Sequence, residues 1–480
     1  LVLDGLRPDS VNAQDTPNLG RLRTEGVTFA NTHAVFPTVT RVNAAAIGSG
    51  TYPEHNGMMG NTVFIPAVDP KRAFNNDNAR SLLKLGDDIL TVPSLAELMQ
   101  KAGEKLVVVS SGSTGGAILL APRSPKGMGT VIHGLFDGQA SYPREPGDEV
   151  LRRFGSPPTK GGPRDSQSEN VAWAVTVLTD YVLPELKPRV AIAWFTEPDH
   201  TQHAYGVGSP QSLDVIRRDD ALVGRILERL SALGLADRTN IVVISDHGFS
   251  QKAHEVDARG ALKEAGLATE DDLVIASSGQ AVALHVKDRD RERIAKIAQF
   301  LEKQPWCGLV FTAAAHAGAH EGSVAGTFSL EEAHLGGHER SPDIVFTFPW
   351  SSARNGYGVP GADDQLKGGP GAANHGGIGP WTVRNTMLAW GPDFKRGAIV
   401  RTPSANVDVA ATIAYLLGMN DAVARMDGRP LVEALANGPD EEQMPMEVRT
   451  LRVANGAYRA VLQVSEVAGK RYLDKGWRVP

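Results

Sequence analysis

Apolar positions along this chain follow two alternating rhythms, and their succession predicts the architecture. Continuous apolar runs at residues 1–3, 27–34, 106–110, 190–195 and 241–245 read as strands buried on both faces. Between them, apolar residues fall at three- and four-residue spacing. Leu19 and Leu22 share one helix face. Leu95, Leu98, Met99 and Ala102 form another, and Val171, Ala174, Val175, Leu178 and Val182 a third. The longest set runs Ile216, Val223, Ile226, Leu227 and Leu230. Helix punctuation agrees: Thr16-Pro17 and Pro93 open helices, and Gly26, Gly103 and Gly234 stop them. Strand and helix alternate, which predicts an α/β fold with a doubly wound, mostly parallel sheet covered by helices on both faces. Ligands of such sheets gather beyond the carboxyl ends of the strands, where Asp4, Asp199 and Asp246 fall.

The texture changes between His247 and His375. Residues 281–286 and 344–348 look like strands, 292–303 like an amphipathic helix, and the remainder is rich in Gly and Ala. This reads as an inserted, smaller α+β cap at 251–369. Residues 1–250 and 370–436 then form the catalytic core, and 437–480 a peripheral extension. Residues 112–166, rich in Gly, Pro and Ser, read as long loops near the sheet edge.

Composition narrows the function classes. A net charge of -6 offers no basic field for a nucleic-acid polymer or an anionic membrane. A small anionic substrate would need a local positive site, and bound metal is the obvious source. Cys307 is the single cysteine, so an intrachain disulfide and a cysteine-based zinc site are both excluded. No run approaches the roughly 20 apolar residues that span a bilayer. The chain opens inside an apolar strand pattern, so we expect an upstream segment. A periplasmic or secreted location follows if that segment is a signal peptide, and a cytoplasmic one otherwise.

Several residues carry candidate chemistry. In V-F-P-T-V-T-R-V-N, residues 35–43, the hydroxyl of Thr40 precedes the small-residue run 44–50. It would therefore sit at a helix N-terminus, which favours an anion. Asp199 and His203, four apart, project to one side of a helical turn and suit zinc. Adjacent Asp246 and His247 follow a strand, and His375 lies in the glycine-rich loop Asn374-His375-Gly376-Gly377. The pairs His316/His320 and His334/His338 have similar spacing but lack neighbouring carboxylates to orient them. Three aspartates at one edge would repel one another. Two divalent cations would balance them together with a threonine alkoxide, and would activate that hydroxyl.

Asp4-Gly5 after a strand, P-T-x-T-x-x-N, Tyr52-Pro53-Glu54-His55-Asn56-Gly57, E-P-D-x-x-x-H, S-D-H-G and N-H-G-G occur in this order. Together they resemble the type I phosphodiesterase/nucleotide pyrophosphatase branch of the alkaline phosphatase superfamily, over about residues 1–420. The resemblance implies a hydrolase with Thr40 as nucleophile and a phosphothreonine intermediate. It implies one zinc on Asp199, His203 and His375, and a second on Asp4, Asp246, His247 and the Thr40 oxygen. Asn43 would hydrogen-bond a phosphate oxygen. The chain carries Thr40-Arg-Val-Asn43 where the family has T-F-P-N, so Arg41 alters a position that lines the leaving-group pocket in relatives.

Arg41 and Tyr205 are the candidate substrate contacts, with Phe64 and Phe136 as further aromatics. Other divalent metals could replace zinc, and the substrate is a small anionic phosphoester or phosphonate. Two alternatives use the same site: a phosphonate hydrolase of the phosphonoacetate type, or a phosphomonoesterase drawing on Arg7, Arg41 and Lys126 for extra positive charge. A different class is a catalytically silent metal-binding interaction protein.

Overall fold

Nine strands form one sheet in a computed structural model that describes residues 1–136, 139–159, 161–269, 272–369 and 371–479. The short strand Val2–Leu3 lies near its centre, parallel to both Val190–Phe195 and Ile241–Ile244. Leu106–Ser110 and Thr130–Phe136 extend the parallel set on one side. On the other side Met387–Trp390 runs antiparallel to Ile241–Ile244, followed by Val27–Phe29 and Ala398–Val400. The sheet is therefore mixed but mostly parallel, as the continuous apolar runs predict.

Side-chain alternation along these strands builds two cores. Val2, Val108, Ile192 and Trp194 point to one face, where Ile47, Leu95, Met99 and Leu119 cover them. Leu3, Val107, Val109, Ala193 and Phe195 point to the other, under Leu19, Val171, Val223 and Ile226. Among the described residues no helix is long and apolar enough to cross a membrane.

Residues 112–166 are more regular than their composition suggests. They hold the helices Thr114–Leu120 and Arg144–Phe154 and the strands Thr130–Phe136 and Gln139–Tyr142. Glycine here serves close packing as well as turns. A Cβ on Gly115 would stand 2.2 Å from the Asn76 carbonyl oxygen, so the helix can approach that backbone only without a side chain. The expected strand at 27–34 breaks into Val27–Phe29 and Thr32–His33, the latter paired with Ser404–Ala405.

The region after His247 contains a five-stranded sheet that includes Ala281–Val286 and Ile344–Thr347, backed by the helix Arg291–Glu302. Ile297, Ala298 and Leu301 of that helix join Val282, Leu284 and Phe346 in its core. The C-terminal residues, expected at the periphery, form an antiparallel sheet of Met446–Asn455, Tyr458–Val467 and Lys470–Arg478. One face of it, with Leu451, Val453, Leu462, Val464 and Leu473, packs on Phe36, Met59, Phe311 and Phe328. Asp474 reaches His33 at 2.8 Å inside the core. One face of the last sheet thus packs against residues of both regions.

Leu462 is fully buried there. Leu462→Ala should lower unfolding free energy by about 2–5 kcal/mol in a denaturant titration. A loss under about 0.5 kcal/mol, the range of surface substitutions, would mean the sheet is peripheral after all.

Candidate active site

Three strand ends converge to build the site, and backbone hydrogen bonds stitch them together. Asp4 follows Val2–Leu3 and donates its N–H to the Phe195 carbonyl, and Asp199 donates its own to the Asp4 carbonyl, both at 3.0 Å. The Gly5 N–H is 3.0 Å from Asp246 Oδ1. Gly5 has φ 68°, and a Cβ there would press 2.9 Å from the Phe249 ring, so glycine is required. Helix Asp199–Tyr205 places Asp199 in its first turn and His203 one turn on. The short strand Ala373–Asn374 pairs with Ser250 and Gln251 and delivers His375.

These residues face one another closely. Asp199 Oδ1 lies 3.3 Å from His203 Nε2 and 3.3 Å from His375 Nε2. His247 Nε2 lies 3.4 Å from Asp4 Oδ1, 3.1 Å from Asp246 Oδ2 and 3.4 Å from Thr40 Oγ1. Tetrahedral ligation at 2.0–2.1 Å separates ligand atoms by about 3.3 Å, so these spacings suit two metal shells. Two groups have the clustering a cation needs: Asp199, His203 and His375, and Asp4, Asp199 and His247. Asp199 Oδ1 belongs to both and lies 4.0 Å from His247 Nε2. Asp246 Oδ2 adjoins the second group through His247.

Hydrogen bonding behind the cluster fixes which atoms face it. The Nδ1 atoms of His203, His247 and His375 each lie 2.9 Å from a carbonyl oxygen, of Ala373, Gly248 and Thr38 respectively. A carbonyl can only accept, so each Nδ1 carries the hydrogen and each Nε2 presents its lone pair inward. Asp4 Oδ2 accepts from the Trp194 indole at 3.0 Å, whereas buried Asp4 Oδ1, Asp199 Oδ1 and Asp246 Oδ2 accept no hydrogen bond. Three buried carboxylate oxygens without donors, opposite three imidazole lone pairs, fit a pair of divalent cations.

Burial and then the Asp246 and Asp199 charges push the Asp4 carboxyl well above the ordinary range. Burial acts the same way on Asp199, but His203 and His375 overcome it and hold Asp199 well below. Burial would lower His247, yet the adjoining Asp246 raises it. Burial and neighbouring His247 push His375 down to about 4.

Thr40 opens the helix Thr40–Ser49, whose N-cap Val39 offers no side-chain cap, so the first turn keeps free N–H groups beside the cluster. Asn43 spends its side-chain amide on the protein itself. Its Oδ1 accepts from the Val35 N–H at 2.7 Å and Asn406 Nδ2 at 3.0 Å, while its Nδ2 donates to the Val35 and Val39 carbonyls at 3.0 Å. With that capacity filled and the side chain fully buried, Asn43 pins the loop ahead of Thr40. The amide at the first turn is Asn61, whose Oδ1 accepts the Arg41 N–H at 3.0 Å. Asn61 also donates its backbone N–H to Ser278 Oγ, and the adjoining Gln280 N–H binds the His375 carbonyl. One turn of the inserted region thus supports both Asn61 and His375.

The other expected contacts have partners within the protein. Buried Arg7 spends its guanidinium on Asp9 and the Phe249 and Pro360 carbonyls, and Lys126 pairs with Asp87. Arg41 pairs with Asp77 at 3.1 Å. The Tyr205 hydroxyl donates to the Arg164 carbonyl, and that guanidinium lies 6.0 Å from the Tyr205 ring centre. Phe64 packs on His285, and the Phe136 side chain lies outside the described residues. His334 binds Glu54 and stacks on Tyr52, His338 meets Thr91, and His320 meets Glu321. None of these histidines joins a ligand group among the described residues.

The sequence model of the type I phosphodiesterase / nucleotide pyrophosphatase family matches residues 1–357. A venom phosphodiesterase from Crotalus durissus collilineatus is 25% identical over 252 residues, covering 52% of this chain and 26% of that protein. The bis(5'-adenosyl)-triphosphatase enpp4 of Mus musculus is 26% identical over 249 residues, covering 52% of this chain and 46% of that protein. The matched segment therefore spans less than half the length of either relative. Murine ectonucleotide pyrophosphatase / phosphodiesterase 5 shares the fold, with a TM-score of 0.60, 17% identity, and coverage of 87% of this chain and 94% of that one. A structure of its inactive threonine-to-alanine form with AMP aligns with a TM-score of 0.59 at 17% identity, covering 87% of this chain and 93% of that one.

The upward shifts of Asp4 and His247 mean that a cation competes with protons there to a higher pH than at an ordinary carboxyl or imidazole. Zinc affinity should therefore rise with pH, by about tenfold per pH unit for each proton displaced. Competitive zinc titration between pH 6 and 8 tests this, and a flat profile would contradict it.

Proposed function

We propose a reaction from one premise: the chain belongs to the type I phosphodiesterase/nucleotide pyrophosphatase family. The reaction is hydrolysis of a phosphodiester or phosphoric anhydride bond, with Thr40 as nucleophile and two zinc ions as cofactors. The observation that carries it is the placement of Thr40 Oγ1 at a helix N-terminus, 3.4 Å from His247 Nε2. Asp199, His203 and His375 would hold one ion, and Asp4, Asp246 and His247, with the Thr40 oxygen, the other. Bound zinc would supply Lewis acidity, favouring ionisation of the Thr40 hydroxyl and neutralising charge on phosphoryl oxygens.

The chain's own residues do the rest. Thr40 attacks phosphorus in line, the leaving alcohol or phosphate departs from the opposite side, and a phosphothreonine forms. The free N–H groups of the first helical turn face the equatorial oxygens, joined by Asn61 Nδ2 in the role expected of Asn43. Water then attacks phosphothreonine in a second in-line step, so configuration at phosphorus is retained overall. The AMP complex of the inactive threonine-to-alanine relative supports a threonine-dependent nucleotide site in that protein. The phosphomonoesterase alternative is weaker, because two of the three cations it would need, Arg7 and Lys126, are engaged elsewhere.

Thr40→Ala should reduce kcat/KM for bis(p-nitrophenyl) phosphate by at least about 10³ without loss of zinc. Asn61→Ala should cost about 10²–10³ in kcat. Unchanged activity in Thr40→Ala would remove the nucleophile, and no activity in the zinc-loaded parent would favour a silent metal-binding protein.

A further inference from the structure

Arg41 follows the nucleophile directly, and its side chain is the site's unusual feature. Its backbone N–H is held by Asn61, which fixes it in the first turn of the Thr40 helix. Its Nη2 lies 3.1 Å from Asp77 Oδ1, with the Arg41 side chain 13% and the Asp77 side chain 32% exposed. That Asp77 oxygen also accepts the Gly115 N–H at 2.9 Å and the Ser113 hydroxyl at 3.3 Å. The turn carrying them adjoins the nucleophile: a Cβ on Gly116 would stand 3.7 Å from Thr40 Cγ2. Ser113 holds φ 50°, a left-handed conformation uncommon for serine, and its Oγ accepts the Gly116 N–H at 3.1 Å. Arg41 Nε is buried and makes no hydrogen bond. A guanidinium is thus held one residue from the reacting hydroxyl, its planar fork only partly used.

We propose that Arg41 is a specificity-determining residue that binds a second anionic group of the substrate, a phosphate or a carboxylate, with Asp77 as its resting partner. The inference rests on the phosphoryl-transfer reading of the same site. A planar guanidinium matches either oxyanion in two-pronged geometry, and the single Asp77 oxygen it meets leaves that fork only partly used. Asp77 competes for the same cation, so it sets how strongly an incoming anion must bind. Esters carrying a second negative charge are then preferred over neutral isosteres.

Methyl 4-carboxyphenyl phosphate and its 4-carbamoyl analogue differ in that charge alone. Their dissociation constants are measured by calorimetry on zinc-loaded protein carrying Thr40→Ala, where nothing turns over. The carboxylate should bind more tightly. Adding Arg41→Gln should erase most of that preference, about tenfold. Adding Asp77→Asn keeps an oxygen for the Gly115 N–H, removes the competing charge, and should widen the preference several-fold. A ratio constant within twofold in both variants overturns the proposal, as does failure of the carboxylate ester to bind. Turnover by protein retaining Thr40 is scored separately. If neither ester is hydrolysed while the ratio shifts as expected, the hydrolase reading fails and the anion site stands.

Discussion

The mutual repulsion of Asp4, Asp199 and Asp246 is the constraint on which the rest of this structure depends. Two unit charges 4 Å apart cost about 4 kcal/mol at an effective dielectric of 20. All three carboxylates crowd one sheet edge, and each turns an oxygen without a hydrogen-bond donor toward the same space. The scaffold holds them there through features that do not yield. Three strand ends are cross-stitched by backbone hydrogen bonds, the Trp194 indole grips Asp4, and three imidazoles are locked by carbonyls behind them. The strain of gathering like charges is met by a large two-faced core, and bound cations would relieve it.

Thr40 is tied to that edge by a buried chain of carboxamides. Asn406 donates to Asn43 Oδ1 and, at 2.7 Å, to the Asp246 carbonyl, and it accepts from Asn385 at 2.9 Å. Asn43 in turn clasps both ends of the loop before Thr40. The helix carrying Thr40 and the loop carrying Asp246 and His247 are therefore registered by amides that never meet solvent. Such fully satisfied networks suit a site whose atoms must hold position while charge develops.

Much of this was legible in the sequence because it follows local rules. Strand ends mark Asp4 and Asp246, the i, i+4 spacing marks Asp199 and His203, and a continuous apolar run marks each central strand. What stayed hidden depends on long-range contacts. Asn43 stands one turn after Thr40 and looks poised for substrate, yet that turn aims it at Val35 and Val39. Asn61 lies in a loop without periodicity, and only the fold brings it back to the Arg41 N–H. The helix Thr114–Leu120 was masked because its glycines, needed for contact with Asn76, read as loop. The last sheet looked peripheral because its first strand, Met446–Asn455, is mostly exposed and a polar residue separates its two buried ones, Leu451 and Val453.

Anomalous scattering at the zinc edge, from crystals of zinc-loaded protein, tests the account at its centre. Two peaks are predicted, one within reach of Asp199, His203 and His375, the other within reach of Asp4, Asp246, His247 and Thr40 Oγ1. A single peak, or none among these residues, would contradict the claim that two cations resolve the repulsion of the three aspartates.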